Sequence, residues 1–353
     1  MATLTVLGAG RMGTAFCTPL LDRGHRVHLV GTHLDGEWIQ ELRRTGVHPG
    51  LGTPLPTGAR YATIDGLAGA LAESDGVVLG VSSPGIRWAG RTLAGLLPPG
   101  TPVAIVTKGL EWADGRFATM PEVFTSRLPA ALRPNVAPVA ISGPCLAGEL
   151  ARRVDTCVVM SGTTLERVAS WADLARTPYY HVRVSSNARG NQLATALKNA
   201  YAIALGFAAG QRGLDRRSAA RDVGMQGTAN FNTESAIFAQ AAAEIDRLVR
   251  LAGGEPASVL GLSGVGDLLV TCHGRNHRLG MWLGAGLRLE AALGRMEGVS
   301  LEGVKAVGEL ARALPALEAS GRIGDSELPL ARHLVDLLAG ASRGGIPFDR
   351  FDA

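Results

Sequence analysis

The feature that most constrains the fold is a glycine-rich turn near the N-terminus, Gly8-Ala9-Gly10-Arg11-Met12-Gly13, which fits the pattern G-x-G-x-x-G. The apolar residues 3–8 predict a buried strand, Met12–Asp22 is compatible with a helix, and residues 25–30 predict a second strand. In such a strand–helix–strand unit the glycines permit a tight turn and let the backbone approach a pyrophosphate at the helix N-terminus. The sequence therefore predicts a dinucleotide-binding turn; the alternative is a turn that binds nothing.

The end of the second predicted strand bears on the choice of dinucleotide. An acidic residue at this point typically binds the ribose hydroxyls of NAD, but the sequence reads Gly31-Thr32-His33. Thr32 and His33 offer hydrogen bonds to a 2′-phosphate, and Arg11 is expected nearby. We therefore predict NADP or NAD with a slight preference for NADP. A neutral loop that accepts both cofactors is the alternative.

The length of 353 residues favours two domains, because single hydrophobic cores stop growing below this size. Apolar strands predicted at 76–81, 103–107 and 136–142 alternate with helix-like stretches, as in a doubly wound parallel sheet. We therefore expect an α/β Rossmann-type domain over 1–182, an all-helical substrate or catalytic domain over 183–340 and a loosely held tail over 341–353. The helices predicted in the second domain are Gln192–Ala209, Thr233–Gly253, His277–Leu293 and Val304–Leu314, with a glycine break at Gly210.

Composition excludes several classes of function. The four cysteines lie apart from one another, and neither they nor the histidines have the spacing of a metal site. The net charge of +4 is spread along the chain, whereas nucleic-acid binding needs a dense basic stripe. We expect no targeting segment, since the chain opens without a basic stretch or cleavage site, and no membrane span, since it holds no run of 18 apolar residues. We expect a reduced, metal-free cytoplasmic protein whose partner is a small anionic molecule.

Lysine is scarce in this chain, and its positions are informative. Of 35 basic residues only Lys108, Lys198 and Lys305 are lysine. An amine, unlike a guanidinium, can exchange a proton at working pH. Lys198 lies inside the apolar run Ala196–Ala200, where a partly desolvated amine could protonate a carbonyl oxygen as a hydride arrives at carbon. The alternative is a lysine that extends from a core helix to solvent.

A second polar position in an apolar stretch is Asp267, the only carboxylate between Gly264 and Cys272. It could pair with Lys198 and fix the charge of that lysine, or it could cap the helix that follows. Arg275 and Asn276 come shortly after it. Their donors suit a phosphate, which a guanidinium binds through paired charge-assisted hydrogen bonds.

Taken together, these residues resemble the NAD(P)-dependent glycerol-3-phosphate dehydrogenase family over nearly the whole chain. Besides the glycine turn, the ordered motifs are His48-Pro49-Gly50-Leu51, Leu55-Pro56, Val81-Ser82-Ser83, Lys108-Gly109-Leu110-Glu111, Ser142-Gly143-Pro144, Ala196–Ala200 with Gly206, Gly266-Asp267-Leu268 and Arg275-Asn276.

The resemblance implies reversible reduction of dihydroxyacetone phosphate to glycerol 3-phosphate by a homodimer. It implies that Lys198 is the general acid/base and Asp267 its partner. The positions that it implies for the substrate are Lys108, Gly143, Cys145, Asn199, Thr271, Arg275 and Asn276. For the cofactor they are Gly8, Gly10, Arg11, Met12, Gly13, Thr32, His33, Ser83, Lys108, Ala147 and Arg275.

The chain also departs from the family pattern. Cys145 replaces a common serine, Ser82 a usual proline, Glu234 a basic residue, and Ala239-Gln240-Ala241 a Thr-Arg-Gly-like step. The segment from Thr271 to Arg275 is shorter than in most bacterial members. These departures leave open a same-fold dehydrogenase that acts on another polyol phosphate or a small hydroxy acid. A cofactor-binding regulator without turnover is a further alternative, against which the presence of both Lys198 and Asp267 argues.

Overall fold

The structure is a computed structural model that describes residues 1–219, 231–296, 301–342 and 344–351. These residues form two compact units, one of Met1–Lys108 and Thr119–Gln192, the other of Gly109–Ala118 and the chain from Leu193 onward. Within the described ranges, none of the helices combines the length and apolarity needed to cross a membrane. Nor does this part of the chain bring together three His, Cys, Asp or Glu side chains suited to a metal ion.

Ten strands occur in the described residues. They are β1 (Thr3–Leu7), β2 (Arg26–Val30), β3 (Ala59–Ala62), β4 (Gly76–Leu79), β5 (Val103–Ile105), β6 (Leu110–Ala113), β7 (Arg116–Thr119), β8 (Val139–Ser142), β9 (Thr156–Ser161) and β10 (Tyr180–Ser185). The strands predicted at 3–8, 25–30, 76–81, 103–107 and 136–142 are thus confirmed as β1, β2, β4, β5 and β8, with small shifts at their ends.

Eight of these strands form the sheet of the first unit, in the order β10-β9-β8-β5-β4-β1-β2-β3. The chain moves from β1 toward β3 on one side and from β4 toward β10 on the other. This is the doubly wound arrangement that the sequence predicts, with its switch point between β1 and β4. Among the described strands, β9 runs antiparallel to β8, so the sheet is mostly rather than wholly parallel.

The helices of the first unit accompany this sheet and supply much of its core. They are α1 (Arg11–Asp22), α2 (Gly36–Thr45), α3 (Leu67–Ala72), α4 (Ser83–Leu93), α5 (Met120–Ser126), α6 (Ala147–Ala151) and α7 (Leu165–Ala175). All five residues of β1 are buried. Phe16 and Tyr180 meet edge to face with ring centroids 6.0 Å apart, close to a fully buried Trp171. Strands apolar on both sides are typical of a sheet covered on both faces.

In the described residues of the second unit, the regular structure is helical apart from one hairpin. Its helices are α8 (Ala188–Ala219, from Leu193 onward), α9 (Phe231–Leu251), α10 (Ala257–Leu260), α11 (Asp267–Thr271), α12 (Arg275–Gly284), α13 (Leu289–Gly294), α14 (Glu302–Ala319) and α15 (Pro329–Ala339). The hairpin of β6 and β7 comes from the middle of the first unit's sequence. Trp112 packs edge to face on Phe117, and its backbone N–H donates to Glu309 of α14 at 2.6 Å.

The predicted helix break at Gly210 is wrong, because α8 continues through it. A Cβ at Gly210 would lie 2.2 Å from the carbonyl oxygen of Met281, and one at Gly206 would lie 1.9 Å from that of His277. These glycines let α12 approach the backbone of α8 closely. The contact outweighs the cost of about 1 kcal/mol for glycine inside a helix.

Two further expectations need correction. The helix predicted over His277–Leu293 is two helices, α12 and α13, separated at Gly286, whose φ of +90° lies outside the helical region. The tail over 341–353 is anchored where it is described, since Ile346 is buried in the core of the second unit and Phe351 packs against it. Residues 343, 352 and 353 of this tail lie outside the described residues.

Candidate active site

The glycine turn of the first unit has the geometry of a ligand cradle. Gly8 has a φ of +111°, and a Cβ there would lie 2.8 Å from the backbone of Gly80. A Cβ at Gly13 would lie 2.2 Å from Gly8 O, whereas at Gly10 the nearest atom is 4.0 Å away. Gly10 precedes α1 and offers no side-chain cap to the first amides of this helix, which a bound anion can therefore satisfy. These features fit a dinucleotide pyrophosphate.

Asp35 ties this turn to the end of β2, a role that the sequence did not reveal. Its Oδ2 accepts hydrogen bonds from Ala9 N at 3.1 Å, Thr32 N at 2.7 Å and Thr32 Oγ1 at 2.9 Å. A carboxylate therefore does lie beside Gly31-Thr32-His33, although none occurs within these three residues. The Thr32 hydroxyl hydrogen already goes to Asp35, which weakens the case for Thr32 as a donor to a 2′-phosphate. The missed signal was an aspartate immediately before the helix that follows β2.

Three further predicted cofactor residues of this unit follow the carboxyl ends of strands β2, β4 and β8. Ser83 is the first residue of α4 after β4, and Ala147 is the first residue of α6 after β8. His33 is exposed after β2, and its ring centroid lies 5.5 Å from that of Trp88 on α4. The carboxyl ends beside a switch point are where doubly wound sheets bind ligands.

Two predicted substrate residues meet in the same unit. Lys108 Nζ donates to the carbonyl oxygen of Gly143 at 2.8 Å. Gly143 has a φ of +102°, a conformation that favours glycine, and it aims its carbonyl at the lysine. Cys145 is partly exposed two residues later. Ser82, the other departure in this region, is the exposed residue that precedes α4.

In the second unit, Lys198 and Asp267 form a buried ion pair. Lys198 Nζ lies 2.5 Å from Asp267 Oδ1, and the two side chains are only 5% and 1% exposed. The same nitrogen donates to Thr271 Oγ1 at 2.5 Å and to Asp267 O at 3.3 Å. Thr271 in turn donates its hydroxyl hydrogen to Asp267 O at 2.7 Å. The three residues that the sequence and the resemblance single out are therefore in direct contact.

Local backbone structure aims Asp267 at the lysine. Residues Leu262–Gly266 form one π-helical turn that leads directly into α11 at Asp267. Gly264 permits this turn, since a Cβ there would lie 2.0 Å from Val259 O. Such turns often occur at functional sites because they change the direction of a side chain within a helical segment. The reading of Asp267 as a mere helix cap is not supported, because Gly266 precedes α11 and Asp267 bonds to Lys198.

Thr195 completes the pair and was missed by sequence reasoning. Its hydroxyl donates to Asp267 Oδ2, the carboxylate oxygen that Lys198 does not bind. Thr195 stands three residues before Lys198 on α8, so it lies on a neighbouring part of the same helical face. That spacing is a signal for Thr195 in the sequence, although it does not identify Asp267 as the partner. With Thr195 and Lys198 in place, both oxygens of the buried carboxylate have donors.

A chain of amides lies beside this pair. Asn276 Nδ2 donates to Asn199 Oδ1 at 3.0 Å, and Asn276 Oδ1 accepts from Gly303 N at 3.1 Å. Gly303 is required here, because a Cβ would lie 2.4 Å from Asn199 O. Arg275 is exposed at the first position of α12, which has no side-chain cap. The predicted roles of these residues toward a phosphate stay predictions.

The two departures from the family pattern on α9, Glu234 and Gln240, lie in different surroundings. Glu234 is half-buried, while Gln240 is buried and donates to Glu244 Oε1 at 3.1 Å. Glu244 also accepts from Tyr201 and from the first amides of α15, at Leu330 and Ala331. Burial raises the pKa of the Glu244 carboxyl. Gln240 therefore belongs to a network that anchors α15 within the core.

Comparison with known proteins gives consistent matches over both units. The family described as NAD-dependent glycerol-3-phosphate dehydrogenase matches through its N-terminal part over residues 3–168 and through its C-terminal part over residues 187–343.

Among similar proteins, the glycerol-3-phosphate dehydrogenase [NAD(P)+] of Desulfitobacterium hafniense is 35% identical over 308 residues, covering 86% of this chain and 80% of its own. The NADP(+)-dependent glycerol-3-phosphate dehydrogenase of Archaeoglobus fulgidus is 33% identical over 329 residues, covering 92% and 93%. The crystal structure of glycerol-3-phosphate dehydrogenase from Coxiella burnetii superposes with a TM-score of 0.79 at 26% identity, covering 97% and 96%.

Proposed function

Since the chain belongs to the NAD-dependent glycerol-3-phosphate dehydrogenase family, we propose that it interconverts dihydroxyacetone phosphate and glycerol 3-phosphate with NAD or NADP. The observation that carries this proposal is the buried contact of Lys198 with Asp267 and Thr271. A lysine and an aspartate buried together, with hydroxyls of two threonines around them, fit proton transfer better than a structural role. Burial of two charges carries a desolvation cost that their attraction often does not offset, so such a pair is weak evidence for a stabilising role and favours a functional one.

The cofactor supplies a hydride to the carbonyl carbon, and the protein supplies the proton. Lys198 donates that proton from Nζ to the carbonyl oxygen, so the C=O bond becomes CH–OH. Among the hydrogen bonds described for Nζ, the one to Asp267 O is the longest at 3.3 Å, so we assign the hydrogen that makes this bond to the substrate. Asp267 stabilises the ammonium form before transfer, and Thr271 holds the nitrogen in place. In the reverse direction, neutral Lys198 takes the hydroxyl proton.

Charged donors are assigned to the phosphate of the substrate. We assign Arg275, at the N-terminus of α12, and Asn276 to phosphate binding, since guanidinium and helix amides favour anions. Lys108, Gly143, Cys145, Asn199 and Thr271 keep their proposed substrate roles. In this proposal residues 1–182 bind the cofactor and 183–340 provide catalysis, and the protein acts as a cytoplasmic homodimer. Light scattering during size-exclusion chromatography tests the dimer, for which the family resemblance is the support.

The deciding experiment is oxidation of NADH and NADPH, followed by absorbance, with and without dihydroxyacetone phosphate. We expect turnover of the phosphorylated ketone to be at least about tenfold faster than that of unphosphorylated dihydroxyacetone, because a charge-assisted phosphate contact is lost in the latter. A panel of other phosphorylated ketones, and of the oxo acids that correspond to small hydroxy acids, provides the comparison. Faster turnover of any of these would replace the proposed substrate, and Cys145 and Glu234 would then be the first positions to examine.

A further inference from the structure

Ala9, which lies between Gly8 and Gly10 in the glycine turn, makes hydrogen bonds through both its backbone N–H and its carbonyl oxygen. Ala9 N donates to Asp35 Oδ2 at 3.1 Å, and Ala9 O lies 3.0 Å from His48 Nε2. Thr14 Oγ1 adds a bond to Ala9 O at 3.2 Å. His48 is 1% exposed and Asp35 is 7% exposed. Both polar backbone groups of a residue flanked by glycines are thus fixed by buried side chains.

The hydrogen bonds of His48 define its protonation state. Gly50 N donates to His48 Nδ1 at 3.0 Å, so Nδ1 is an acceptor and carries no hydrogen. The ring hydrogen is therefore on Nε2, which donates to Ala9 O. A second proton on Nδ1 would oppose the N–H of Gly50 and push the residue 48–50 loop away. Only the neutral ring satisfies both partners.

The surroundings of His48 favour that neutral ring. The charged groups that face it are Arg11 of α1 and Asp35 before α2, and the ring of Trp38 lies 5.1 Å from it, centroid to centroid. Burial, with Arg11 acting in the same direction, lowers the pKa of His48, although its bond to Ala9 and the charge of Asp35 oppose the shift. The neutral form therefore persists below the ordinary histidine range.

Holding Ala9 matters because glycines lose more backbone freedom than other residues when they are fixed. A turn that is already fixed binds its ligand without that loss. We propose that His48 and Asp35 are positioning residues that fix the peptide groups of Ala9 and thereby set the affinity of the glycine turn for the dinucleotide. Neutral His48 supports this affinity and protonated His48 does not. The inference rests on cofactor binding by the turn and requires no assumption about the substrate.

The test is calorimetric titration of the protein with NADH and NADPH, without substrate. His48→Ala should raise the dissociation constant about fivefold, the effect of one lost hydrogen bond. His48→Gln should restore most of the affinity, because its amide nitrogen lies as many bonds from Cβ as Nε2 does and can donate to Ala9 O. His48→Asn, whose amide reaches only the position of Nδ1, should not. Turnover at saturating cofactor should stay within about twofold in all three variants.

His25→Ala is the matched control. His25 is also in the first unit and has the same arrangement, with Ala2 N donating to Nδ1 at 3.1 Å and Nε2 3.1 Å from Leu174 O, but it does not touch the glycine turn. Its removal should lower thermal stability and leave the dissociation constant unchanged. Equal weakening by His25→Ala and His48→Ala would overturn the proposal in favour of a general loss of structure.

The pH dependence gives a readout that packing alone would not change. Since the folded pKa of His48 lies below its ordinary value of 6.5, cofactor affinity should be constant above about pH 6.5 and fall as pH drops through that lowered pKa. His48→Gln should show no such fall in affinity. Asp35→Asn, which keeps an acceptor for Ala9 N, should change the pH at which the affinity falls. If the wild type and His48→Gln lose affinity in parallel at low pH, His48 is not the titrating group and the proposal fails. Normal binding without turnover of dihydroxyacetone phosphate would instead contradict the proposed substrate.

Discussion

The glycine turn of the first unit and the lysine pair of the second are both held by buried side chains, but by different physical means. At the turn, a neutral imidazole and a carboxylate bond the backbone of Ala9. In the second unit, an ammonium and a carboxylate, both almost inaccessible to solvent, bond each other. A hydrogen bond to the backbone contributes about 1 kcal/mol net and can be replaced by another donor. A buried charge that loses its partner has no such substitute. Substitutions at the glycine turn should therefore have moderate effects that depend on the new side chain, whereas substitutions at the Lys198–Asp267 pair should have large effects.

The largest effect should come from Lys198→Ala. We expect turnover to fall at least about 100-fold, because a positioned general acid contributes 10²- to 10⁴-fold. The dissociation constant of NAD(P)H should barely change, since every described contact of the glycine turn is retained. Kinetics with a parallel cofactor titration separate the two quantities. Lys305→Ala, at an exposed lysine paired with Glu302, is the control and should keep wild-type turnover. A Lys198→Ala protein with more than half the wild-type kcat would remove this lysine from the mechanism.

The next effect is on stability and tests the cost of an unpaired charge. Asp267→Asn leaves the Lys198 ammonium buried without its countercharge, so the free energy of unfolding should fall by about 3 kcal/mol. The double variant Lys198→Met/Asp267→Asn should lose less than Asp267→Asn alone, because no charge is left behind. Urea unfolding measures each value. At the turn, His48→Gln should lose no more than about 1 kcal/mol. Additive losses at the pair would mean that the two side chains do not stabilise each other.

Arg275 tests whether the second unit also provides a phosphate contact. Arg275→Ala should raise KM for dihydroxyacetone phosphate about tenfold, roughly 1.4 kcal/mol, while activity on unphosphorylated dihydroxyacetone changes little. Arg278→Ala, an exposed arginine one turn later on the same helix, is the control. Equal losses on both ketones would assign Arg275 to the cofactor or to structure, and a fall in kcat alone would do the same.

The smallest effect concerns the choice between NADPH and NADH. We keep the expectation of a slight preference for NADPH, but it now depends on His33 and Arg11, both exposed, rather than on Thr32. His33→Ala should reduce the NADPH-to-NADH ratio of kcat/KM about threefold, as expected for a weak solvent-exposed polar contact. Thr32→Ala should leave the ratio unchanged, since its hydroxyl donates to Asp35. A large change with Thr32→Ala would mean that this hydroxyl leaves Asp35 when cofactor binds.

Much of the site was predictable because several of its residues are unusual in their immediate sequence context. A G-x-G-x-x-G turn between strand and helix, and a lysine in an apolar run, each break a compositional rule for a chemical reason. Asp35, His48 and Thr195 break no such compositional rule, so their immediate sequence context does not show their roles. A threonine near a lysine or an aspartate before a helix is common, and only its partner across the fold shows what it does. Long-range hydrogen bonds such as Thr195 to Asp267, 72 residues apart, cannot be read from spacing.

The sequence by itself determined the strand–helix alternation of the first unit, its glycine turn and the helical character of the second, because hydrophobic periodicity and glycine placement act over a few residues. Tertiary structure alone decided that α8 continues through Gly210, that the hairpin of β6 and β7 joins the helical unit, and that a π-helical turn aims Asp267 at Lys198. The first two depend on close contact between segments far apart in the chain, and the third matters because Lys198 and Asp267 lie 69 residues apart. Gly210 would break an isolated helix, but against the backbone of Met281 it is the residue that fits.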